Sequence, residues 1–324
     1  MPENSRFTPG VLPSPADHRD WLYAGIAKAI SLPTKHRCRI TPLPVRDQGA
    51  KGTCYGHAAS CVNEIFQYIE NGAAERLSPL YVYSMAKQLD GYPDIEGTFG
   101  RAVMKVLTQY GDCPETTMPY SAAWTTPPLP DEEQHRLARP NRFAAYAKVS
   151  TEQELKQALV EQGPLPIAMM LTDNIYEAQN GVWPAECMGT ILGGHAMTLI
   201  GYDDTLKLYE VINSWGINPG LTDSSGHCFI PYARMHKESL ASDLPIPSLL
   251  DAWSMVDMLT LKLSGNITVS GNRVTILYKG QPVDMEIEPF IVEDINRAFF
   301  PVRELEKFGH SVVWNGNNYT ILVD

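Results

Sequence analysis

The pattern of apolar residues changes part-way along the chain, and this change constrains the fold more than any other feature. Between residues 53 and 162, apolar side chains recur at the three- and four-residue spacing of helices. Residues 165–231 instead contain short apolar runs typical of strands. Helices that precede strands, rather than alternating with them, predict an α+β fold. The length of 324 residues suits two compact domains, or one large domain with an accessory domain.

End signals predict where the helices and strands lie. The strongest helix signal begins at Thr53, a good N-cap residue, and continues with one apolar face. Further helices are predicted to begin at Ser78-Pro79, to run from about Phe99 to Tyr110, and to span Thr151 to Gln162. The predicted strands are 165–171, 196–202, 207–213 and 228–231. Ser121 to Arg142 is rich in proline and charge, which predicts a surface loop.

Composition divides the chain into three predicted parts. Residues 1–44 hold seven of the 25 prolines, which favours an extended arm with at most a short helix between Trp21 and Ile30. Residues 45–258 carry the helices and strands described above. Residues 259–324 are predicted to form a separate domain of short strands with one helix near Val302 to Phe308. Asn315-Gly316 at a strand end is the turn signal of a hairpin.

Charge and cysteine content exclude several classes of protein. A net charge of −11 disfavours nucleic-acid binding, which depends on lysine and arginine. No apolar stretch reaches the ~20 residues of a membrane span, and the N-terminus lacks the features of a signal peptide. Six irregularly spaced cysteines without a CxxC pair argue against a disulfide scaffold and against a structural zinc site. The question that remains is which cysteine is reactive.

Four segments contain the residue types that a nucleophilic cysteine needs. Cys54 lies at the first position of a predicted helix, where the helix dipole and free N–H groups favour an anion. Gln48 precedes it by 54 − 48 = 6 residues, His195 begins a predicted strand, and Asn213 ends the next one. Such chemistry requires a base, a group that orients the base, and donors to an oxyanion.

These motifs resemble those of papain-like cysteine peptidases of bacterial type. Lys51-Gly52-Thr53-Cys54-Tyr55 matches the nucleophile segment, and NSWG at Asn213–Gly216 matches the asparagine segment. His195 follows Cys54 by 195 − 54 = 141 residues and Asn213 by 213 − 54 = 159, close to the spacing known for such enzymes. The resemblance covers about residues 45–258, and it implies a two-lobed fold with a helical lobe and a β-barrel-like lobe.

The resemblance implies a role for each matching residue. Cys54 is expected to be the nucleophile, His195 the base and then the acid, and Asn213 the group that orients the imidazole. The Gln48 side chain and the Cys54 backbone N–H would form an oxyanion hole, and Trp215 would shield the histidine–asparagine contact. A histidine partner lowers the pKa of such a cysteine to ~3–4, so a thiolate–imidazolium pair is expected. No metal or cofactor is implied.

Other residues compete for these roles. A lone helical cysteine is usually an inert core residue, which is the interpretation for Cys61. His57, one turn after Cys54, could accept a proton, but packing is the favoured reading. His227-Cys228 could be half of a metal site, but no second ligand pair accompanies it, so both are predicted to be ordinary strand residues.

Candidate substrate-binding residues follow from the same resemblance. Gly97 is the candidate for hydrogen bonds to a substrate backbone. Gly193, Ala196 and Ala168 would line a pocket for an apolar side chain, with Phe99 as its wall, and Gly194 and Trp215 are further substrate-binding candidates. Several positions depart from the family pattern and leave substrate preference and pH profile open: Lys51 in place of a disulfide cysteine, Tyr55 in place of tryptophan, Gly194 where an acid often precedes the histidine, and Pro219 in place of a second tryptophan.

Function beyond this chemistry stays open between several hypotheses. The leading one is a cysteine endopeptidase acting on peptides or proteins; the alternatives are an exopeptidase or acyl transferase with the same triad, or a non-catalytic surface-binding or scaffold protein. Residues 1–44 either lie along the cleft and limit access or only pack on the surface. Residues 259–324 resemble the copper-amine-oxidase N-terminal-like domain of bacterial surface proteins, which suggests a protein or cell-surface ligand and leaves localisation open.

Overall fold

The structure is a computed structural model, which describes residues 8–18, 20–25, 30–241 and 246–257, and then the backbone of short strands between residues 263 and 323. The chain divides into two units, Met1–Val256 and Asp257–Asp324. The α-helices of the first unit, in chain order, are α1 (Cys54–Asn71), α2 (Pro79–Leu89), α3 (Gly100–Gln109), α4 (Glu132–Ala138), α5 (Glu152–Glu161) and α6 (Tyr232–Met235). None of the described helices is long and apolar enough to cross a bilayer.

The first unit also contains one sheet of seven strands. The strands are β1 (Lys35–Arg37), β2 (Phe143–Lys148), β3 (Leu165–Thr172), β4 (Ile191–Asp203), β5 (Leu208–Ile212), β6 (His227–Pro231) and β7 (Leu249–Asp257). Their order is β2-β7-β3-β4-β5-β6, with β1 paired to β4 outside this path. Strands β3 and β4 pair antiparallel, so that Ala168 lies opposite Ala196 and Met169 opposite His195.

Two hydrophobic cores fill the first unit. One lies on the sheet and is made mainly by β3, β4, β5 and α5. The other lies among α1, α2 and α3, and it includes Ala168 and Ala196 from the sheet. Helix α1 therefore packs directly on β3 and β4, and Thr198 Oγ1 donates a 3.0 Å hydrogen bond to the Ala58 carbonyl across this contact. A helical lobe and a sheet lobe confirm the predicted α+β fold.

Local sequence signals account for most element ends. Ser78 caps α2 by accepting a hydrogen bond from the Tyr81 N–H, and Thr151 caps α5 by accepting one from the Glu154 N–H. Helix α1 begins at Cys54 as predicted, although the Thr53 side chain makes no capping hydrogen bond. Gly72, in the left-handed region, ends α1.

Two sequence predictions were wrong in part. The expected loop 121–142 contains α4, because Asp131 and Gln134 form a reciprocal capping box that starts a helix within the charged stretch. In the N-terminal arm, the structure has the 3-10 helix Tyr23–Gly25 within the expected helix range, of which residues 26–29 lie outside the described residues. It also has β1, which the sequence analysis did not predict in this proline-rich segment.

The second unit consists of short antiparallel strands in its described part. They are β8 (Leu263–Ser264), β9 (Ile267–Ser270), β10 (Arg273–Tyr278), β11 (Gln281–Val283), β12 (Phe290–Val292), β13 (Arg297–Phe299), β14 (Val312–Asn315) and β15 (Thr320–Val323). Strands β14 and β15 pair as the NGNN signal predicts, with Val313 opposite Leu322. The helix predicted near residues 302–308 lies outside the described residues.

The two helix caps differ in burial, which gives a test of the fold. Ser78 is fully buried, and its Oγ also donates a 2.6 Å hydrogen bond to the Met118 carbonyl, whereas Thr151 is exposed. We expect Ser78→Ala to lower the free energy of unfolding by about 2 kcal/mol and the control Thr151→Ala by about 1 kcal/mol or less. Urea unfolding followed by tryptophan fluorescence measures both. Equal losses would show that the Met118 contact contributes nothing.

Candidate active site

Cys54 lies where the helical lobe meets the sheet lobe. It is the first residue of α1, its exposed fraction is 0%, and its thiol contacts a backbone group of Ala196, the residue after His195 on β4. Thr53 holds the preceding turn, because its Oγ1 lies 2.8 Å from the Tyr120 hydroxyl. Packing of α1 on β4 therefore brings Cys54 next to the strand that carries His195.

His195 is oriented by Asn213 and covered by Trp215. Its Nε2 lies 2.8 Å from Asn213 Oδ1, which also accepts a 2.7 Å hydrogen bond from the Ser214 N–H. Because an amide oxygen only accepts, the histidine carries its proton on Nε2 and presents the lone pair of Nδ1. Nδ1 has no hydrogen-bond partner within the described part of the chain. The indole of Trp215 stacks on the imidazole at 4.4 Å and 23°.

Gln48 is held beside these residues by both ends of its amide. Its Oε1 accepts a 2.6 Å hydrogen bond from Ser214 Oγ, and its Nε2 donates to the Lys51 carbonyl at 2.8 Å. The Gln48 N–H also donates to the Ser214 carbonyl. Ser214, which the sequence prediction did not single out, thus joins the Gln48 segment to the Asn213 segment.

The N-terminal arm passes this site as an irregular segment with isolated β-bridges at Val11. The Val11 N–H donates to the Gly194 carbonyl at 3.0 Å, the Leu12 N–H to the Thr98 carbonyl at 2.9 Å, and the Thr98 N–H to the Gly10 carbonyl at 2.9 Å. A backbone group of Gly10 contacts the Cys54 thiol. The Thr8 carbonyl lies 3.4 Å from Gln48 Nε2. The arm therefore covers both the candidate nucleophile and a candidate oxyanion donor.

Two contacts further along the chain anchor the arm. Ser14 Oγ donates a 2.8 Å hydrogen bond to the buried Asp251, and the Asp20 carboxylate accepts a 2.6 Å hydrogen bond from Arg101 Nε in a largely buried ion pair. Within the arm, residues 8–12 lie against the candidate site, whereas Lys35–Arg37 pair with β4 of the sheet.

The candidate substrate-binding residues are brought together around Val11 of the arm. Val11 belongs to the same hydrophobic core as Phe99, Ala168 and Ala196. Gly193 and Gly194 lie against Pro9 and Val11, and the Leu250 side chain is close to Gly194 on the same side. Leu250 was not anticipated because it lies on β7, more than fifty residues after Gly194 in sequence.

The family resemblance implied that the backbone of Gly97 would bind a substrate, but in the structure both of its backbone groups bond to side chains of α2. Its N–H donates to the Tyr83 hydroxyl at 3.0 Å, and its carbonyl accepts from Lys87 Nζ at 3.0 Å. The neighbouring Thr98 makes the two backbone hydrogen bonds to the arm instead. The motif alone could not distinguish these adjacent residues, because the difference depends on which carbonyl Lys87 reaches.

The other candidate residues have structural contacts. His57 is buried, its Nδ1 lies 3.1 Å from the Thr53 carbonyl, and its ring packs edge-on against Tyr120 at 4.4 Å. Cys61 packs partly buried against the sheet core. His227 Nδ1 lies 2.8 Å from Glu210 Oε1, and Cys228 Sγ donates to the Leu221 carbonyl. No cluster suited to a metal ion occurs among the described residues.

Burial controls the protonation of the cysteine and the histidine. Removal from water raises the pKa of the Cys54 thiol to about 11, although backbone contacts from Ala196 and Gly10 act in the opposite direction. Removal from water lowers the pKa of His195 to about 4, although its hydrogen bond to Asn213 acts to raise that pKa. Burial therefore opposes each charge of the expected thiolate–imidazolium pair taken singly, and the pair itself stays a prediction.

Comparison with known proteins agrees with this geometry. A family profile described as "Papain family cysteine protease" matches residues 32–237, which is more than half of the chain. The chain belongs to this family. As a papain-family cysteine protease, it is a hydrolase of the thiol-protease class.

Curated relatives of this papain-family chain include proteins of a virus, a plant and a nematode. An uncharacterised peptidase C1-like protein of Acanthamoeba polyphaga mimivirus is 28% identical over 214 residues, covering 61% of this chain and 67% of the viral protein. Stem bromelain of Ananas comosus is 28% identical over 198 residues, covering 57% of this chain and 87% of bromelain. A cathepsin B-like cysteine proteinase 4 of Caenorhabditis elegans is 26% identical, covering 54% of this chain and 62% of its own length.

Solved structures share the papain-like fold. Xylellain, a cysteine protease from Xylella fastidiosa, superimposes with a TM-score of 0.64 at 24% identity, covering 78% of this chain and 97% of xylellain. A cysteine protease from Carica candamarcensis has a TM-score of 0.51 at 21% identity, covering 70% of this chain and 99% of its own. At this level of identity the likeness concerns the fold alone.

The raised pKa of Cys54 predicts how the thiol of this papain-family chain reacts. Because the thiolate is the reactive form and the pKa is about 11, alkylation of Cys54 by iodoacetamide should be slow at pH 7. Its rate should rise about tenfold per pH unit up to pH 10. Mass spectrometry of the Cys54 peptide measures the rate, with the half-buried Cys61 as internal comparison. A rate that is already maximal near pH 5 would instead indicate a thiolate at rest.

Proposed function

We propose that this chain is an endopeptidase that cleaves peptide bonds through an acyl-enzyme on Cys54. The observation that carries the proposal is the path of the arm: a continuous extended chain enters the site near Thr8, passes Cys54 and leaves beyond Leu12. A peptide can therefore extend on both sides of the thiol, as endoproteolysis requires. This path favours endopeptidase over exopeptidase activity, and the intact set of Cys54, His195, Asn213 and Gln48 argues against a non-catalytic scaffold.

The proposed reaction assigns one proton transfer to each half. His195 Nδ1 takes the Cys54 proton while the sulfur attacks the scissile carbonyl carbon, and the imidazolium then protonates the leaving amine. Water next attacks the thioester, gives its proton to His195, and releases the acid as the proton returns to the thiolate. Asn213 keeps the imidazole in the Nε2–H form throughout, and Trp215 covers its face.

Gln48 Nε2 and the Cys54 N–H are the proposed donors to the oxyanion. The Cys54 N–H lies at the N-terminus of α1, where the helix dipole adds to the stabilisation of a developing negative charge. Ser214 and Lys51 fix the Gln48 amide, so the donor is positioned before the substrate arrives. This preorganisation avoids a reorganisation cost during the reaction.

Substrate recognition is proposed to follow the contacts of the arm. Thr98 N–H and C=O, together with the Gly194 carbonyl, would pair with the substrate backbone as they pair with residues 10–12. The pocket of Phe99, Ala168 and Ala196, which packs with Val11, would accept a branched apolar side chain. Gly97 would make room for the substrate backbone, because a side chain at this position would overlap the path that the arm takes, rather than hydrogen-bond to the substrate itself.

The catalytic assignment has a direct test. Cys54→Ala should reduce hydrolysis of an internally quenched peptide, blocked at both ends, by at least about 10³-fold, because the nucleophile is removed. Cys61→Ala, seven residues further along α1, is the matched control and should keep activity. Cleavage only of peptides with a free end would favour the exopeptidase alternative, and transfer of the acyl group to an added amine in preference to water would favour the acyl transferase.

The arm is proposed to inhibit the site that it covers. A backbone group of Gly10 contacts the thiol, the Gly10 carbonyl accepts from the Thr98 N–H, and the Thr8 carbonyl lies 3.4 Å from Gln48 Nε2. The arm thus occupies the backbone and oxyanion positions that a substrate would need. Residue 10 must be glycine for this path, because an added Cβ would lie 2.1 Å from the Gly52 carbonyl oxygen.

Gly10→Val tests this inhibition in the full chain. The new side chain overlaps the Gly52 backbone, so the arm should leave the cleft while the residues proposed for catalysis are unchanged. We expect peptide hydrolysis to rise at least about tenfold and Cys54 alkylation at pH 7 to accelerate, since solvent then reaches the thiol. Ala16→Val, in the same arm, is the control. Unchanged kinetics in Gly10→Val would contradict the inhibitory role.

The domain arrangement completes the proposal. Residues 1–44 would be the inhibitory arm, 45–258 the peptidase domain of bacterial type, and 259–324 an accessory domain that resembles the copper-amine-oxidase N-terminal-like domain. The accessory domain is proposed to bind a protein or cell-surface ligand, and its name carries no implication of metal binding.

A further inference from the structure

Lys87 is a buried cation beside the cleft. It lies in the last turn of α2, and only 4% of its side chain is exposed. Its Nζ lies 2.7 Å from Asp90 Oδ2 and donates to three backbone carbonyls, those of Tyr92 at 2.6 Å, Ile95 at 2.8 Å and Gly97 at 3.0 Å. The segment 90–97 therefore wraps around the ammonium group.

Such an arrangement stabilises one conformation of the loop. An ammonium group is rarely buried unless it is paired and hydrogen-bonded, because it otherwise loses its hydration. Here Asp90 supplies the opposite charge, and the carbonyls satisfy the remaining donors. Movement of any of these carbonyls would leave a buried charge less well solvated, so the loop is held at several points by one side chain.

The hydrogen bond from Lys87 to the Gly97 carbonyl determines which backbone groups face the cleft. Lys87 holds the Gly97 carbonyl, Tyr83 holds the Gly97 N–H, and Gly97 adopts φ +99°, a conformation that other residues rarely adopt. The next residue, Thr98, is left with both of its backbone groups directed at the arm. Glu96 adds a second tie, since its Oε1 accepts a 2.6 Å hydrogen bond from the Gly52 N–H near Cys54.

We propose that Lys87 is a positioning residue, which holds Gly97 so that the Thr98 N–H and C=O form the backbone-binding edge of the cleft. The inference rests on the proposed function of this cleft as a peptide-binding site. The described cysteines are all free, so no disulfide fastens this edge in that part of the chain, and the polar contacts of Lys87 and Glu96 hold it instead.

The test compares substrates that differ in their need for Thr98. Lys87→Met removes the charge and the donors, and Lys87→Arg keeps them; both are made in the full chain with and without Gly10→Val. In the Gly10→Val background, where the arm no longer competes with the substrate, the test uses a three-residue peptide amide with valine before its last residue. Lys87→Met should lower kcat/KM for this peptide roughly tenfold, mainly through KM, because two substrate hydrogen bonds weaken. In the same background, hydrolysis of p-nitrophenyl acetate, which has no peptide unit, should be unchanged, and Lys87→Arg should restore part of the loss.

Controls separate this role from general destabilisation. Lys237→Met replaces an exposed lysine and should affect neither substrate. If Lys87→Met does not fold, Tyr83→Phe removes only the hydroxyl that holds the Gly97 N–H and should show a smaller loss with the same dependence on substrate. Equal losses with both substrates, or none with the peptide, would overturn the proposal.

A readout that needs no catalysis distinguishes failure of this proposal from failure of the proposed function. Because Thr98 also binds the arm, Lys87→Met should loosen the arm in the otherwise unchanged chain and accelerate alkylation of Cys54 at pH 7 several-fold. If no variant hydrolyses peptide but alkylation accelerates, the peptidase proposal fails while Lys87 keeps its positioning role. If peptide is hydrolysed but neither kinetics nor alkylation responds to Lys87→Met, only the positioning role is wrong.

Discussion

The packing of the N-terminus of α1 against β4 is the constraint on which the rest of the site depends. Small residues on the sheet, Ala168 and Ala196, allow the helix to approach so closely that the Cys54 thiol contacts the backbone of Ala196. The same contact buries the thiol beside the residue that follows His195. A larger side chain on either strand would separate the two lobes, and the cysteine and histidine would no longer share one cleft.

Close packing also acts on the protonation of the two residues, because burial raises the pKa of Cys54 and lowers that of His195. The resemblance to papain-like enzymes implies an ion pair, but an ion pair is stable only where solvent or dipoles compensate both charges. The Cys54 and His195 side chains are almost completely buried, and the effect of burial on their pKa values exceeds that of the hydrogen bonds that act against it. The contact from Gly10 of the arm acts in the opposite direction and lowers the pKa of the thiol, so the arm contributes a group that favours the thiolate.

The sequence was sufficient for features that depend on local or strongly patterned signals. Spacing and motif were enough for the helix that begins at Cys54, for the cap at Ser78, and for the placement of His195 on β4 and Asn213 directly after β5. Helix α4 was missed because the charge and proline content of its segment predicted a loop, and the capping box at Asp131 was not taken into account. Thr98, Ser214 and Leu250 were missed because their roles arise from contacts between segments far apart in sequence, which no local pattern encodes.

Buried polar side chains on the helical lobe provide the tethers that hold its loops. Glu64 illustrates this, because its carboxylate accepts hydrogen bonds from Arg46 and from the Leu77 N–H and so fastens the segment before Gln48 to the segment before α2. Lys87 does the same for the loop that ends at Gly97. Unlike a disulfide, a buried ionic tether demands that every partner be in place, because a missing partner leaves an uncompensated charge. The cleft edges are therefore coupled to the integrity of each loop as a whole.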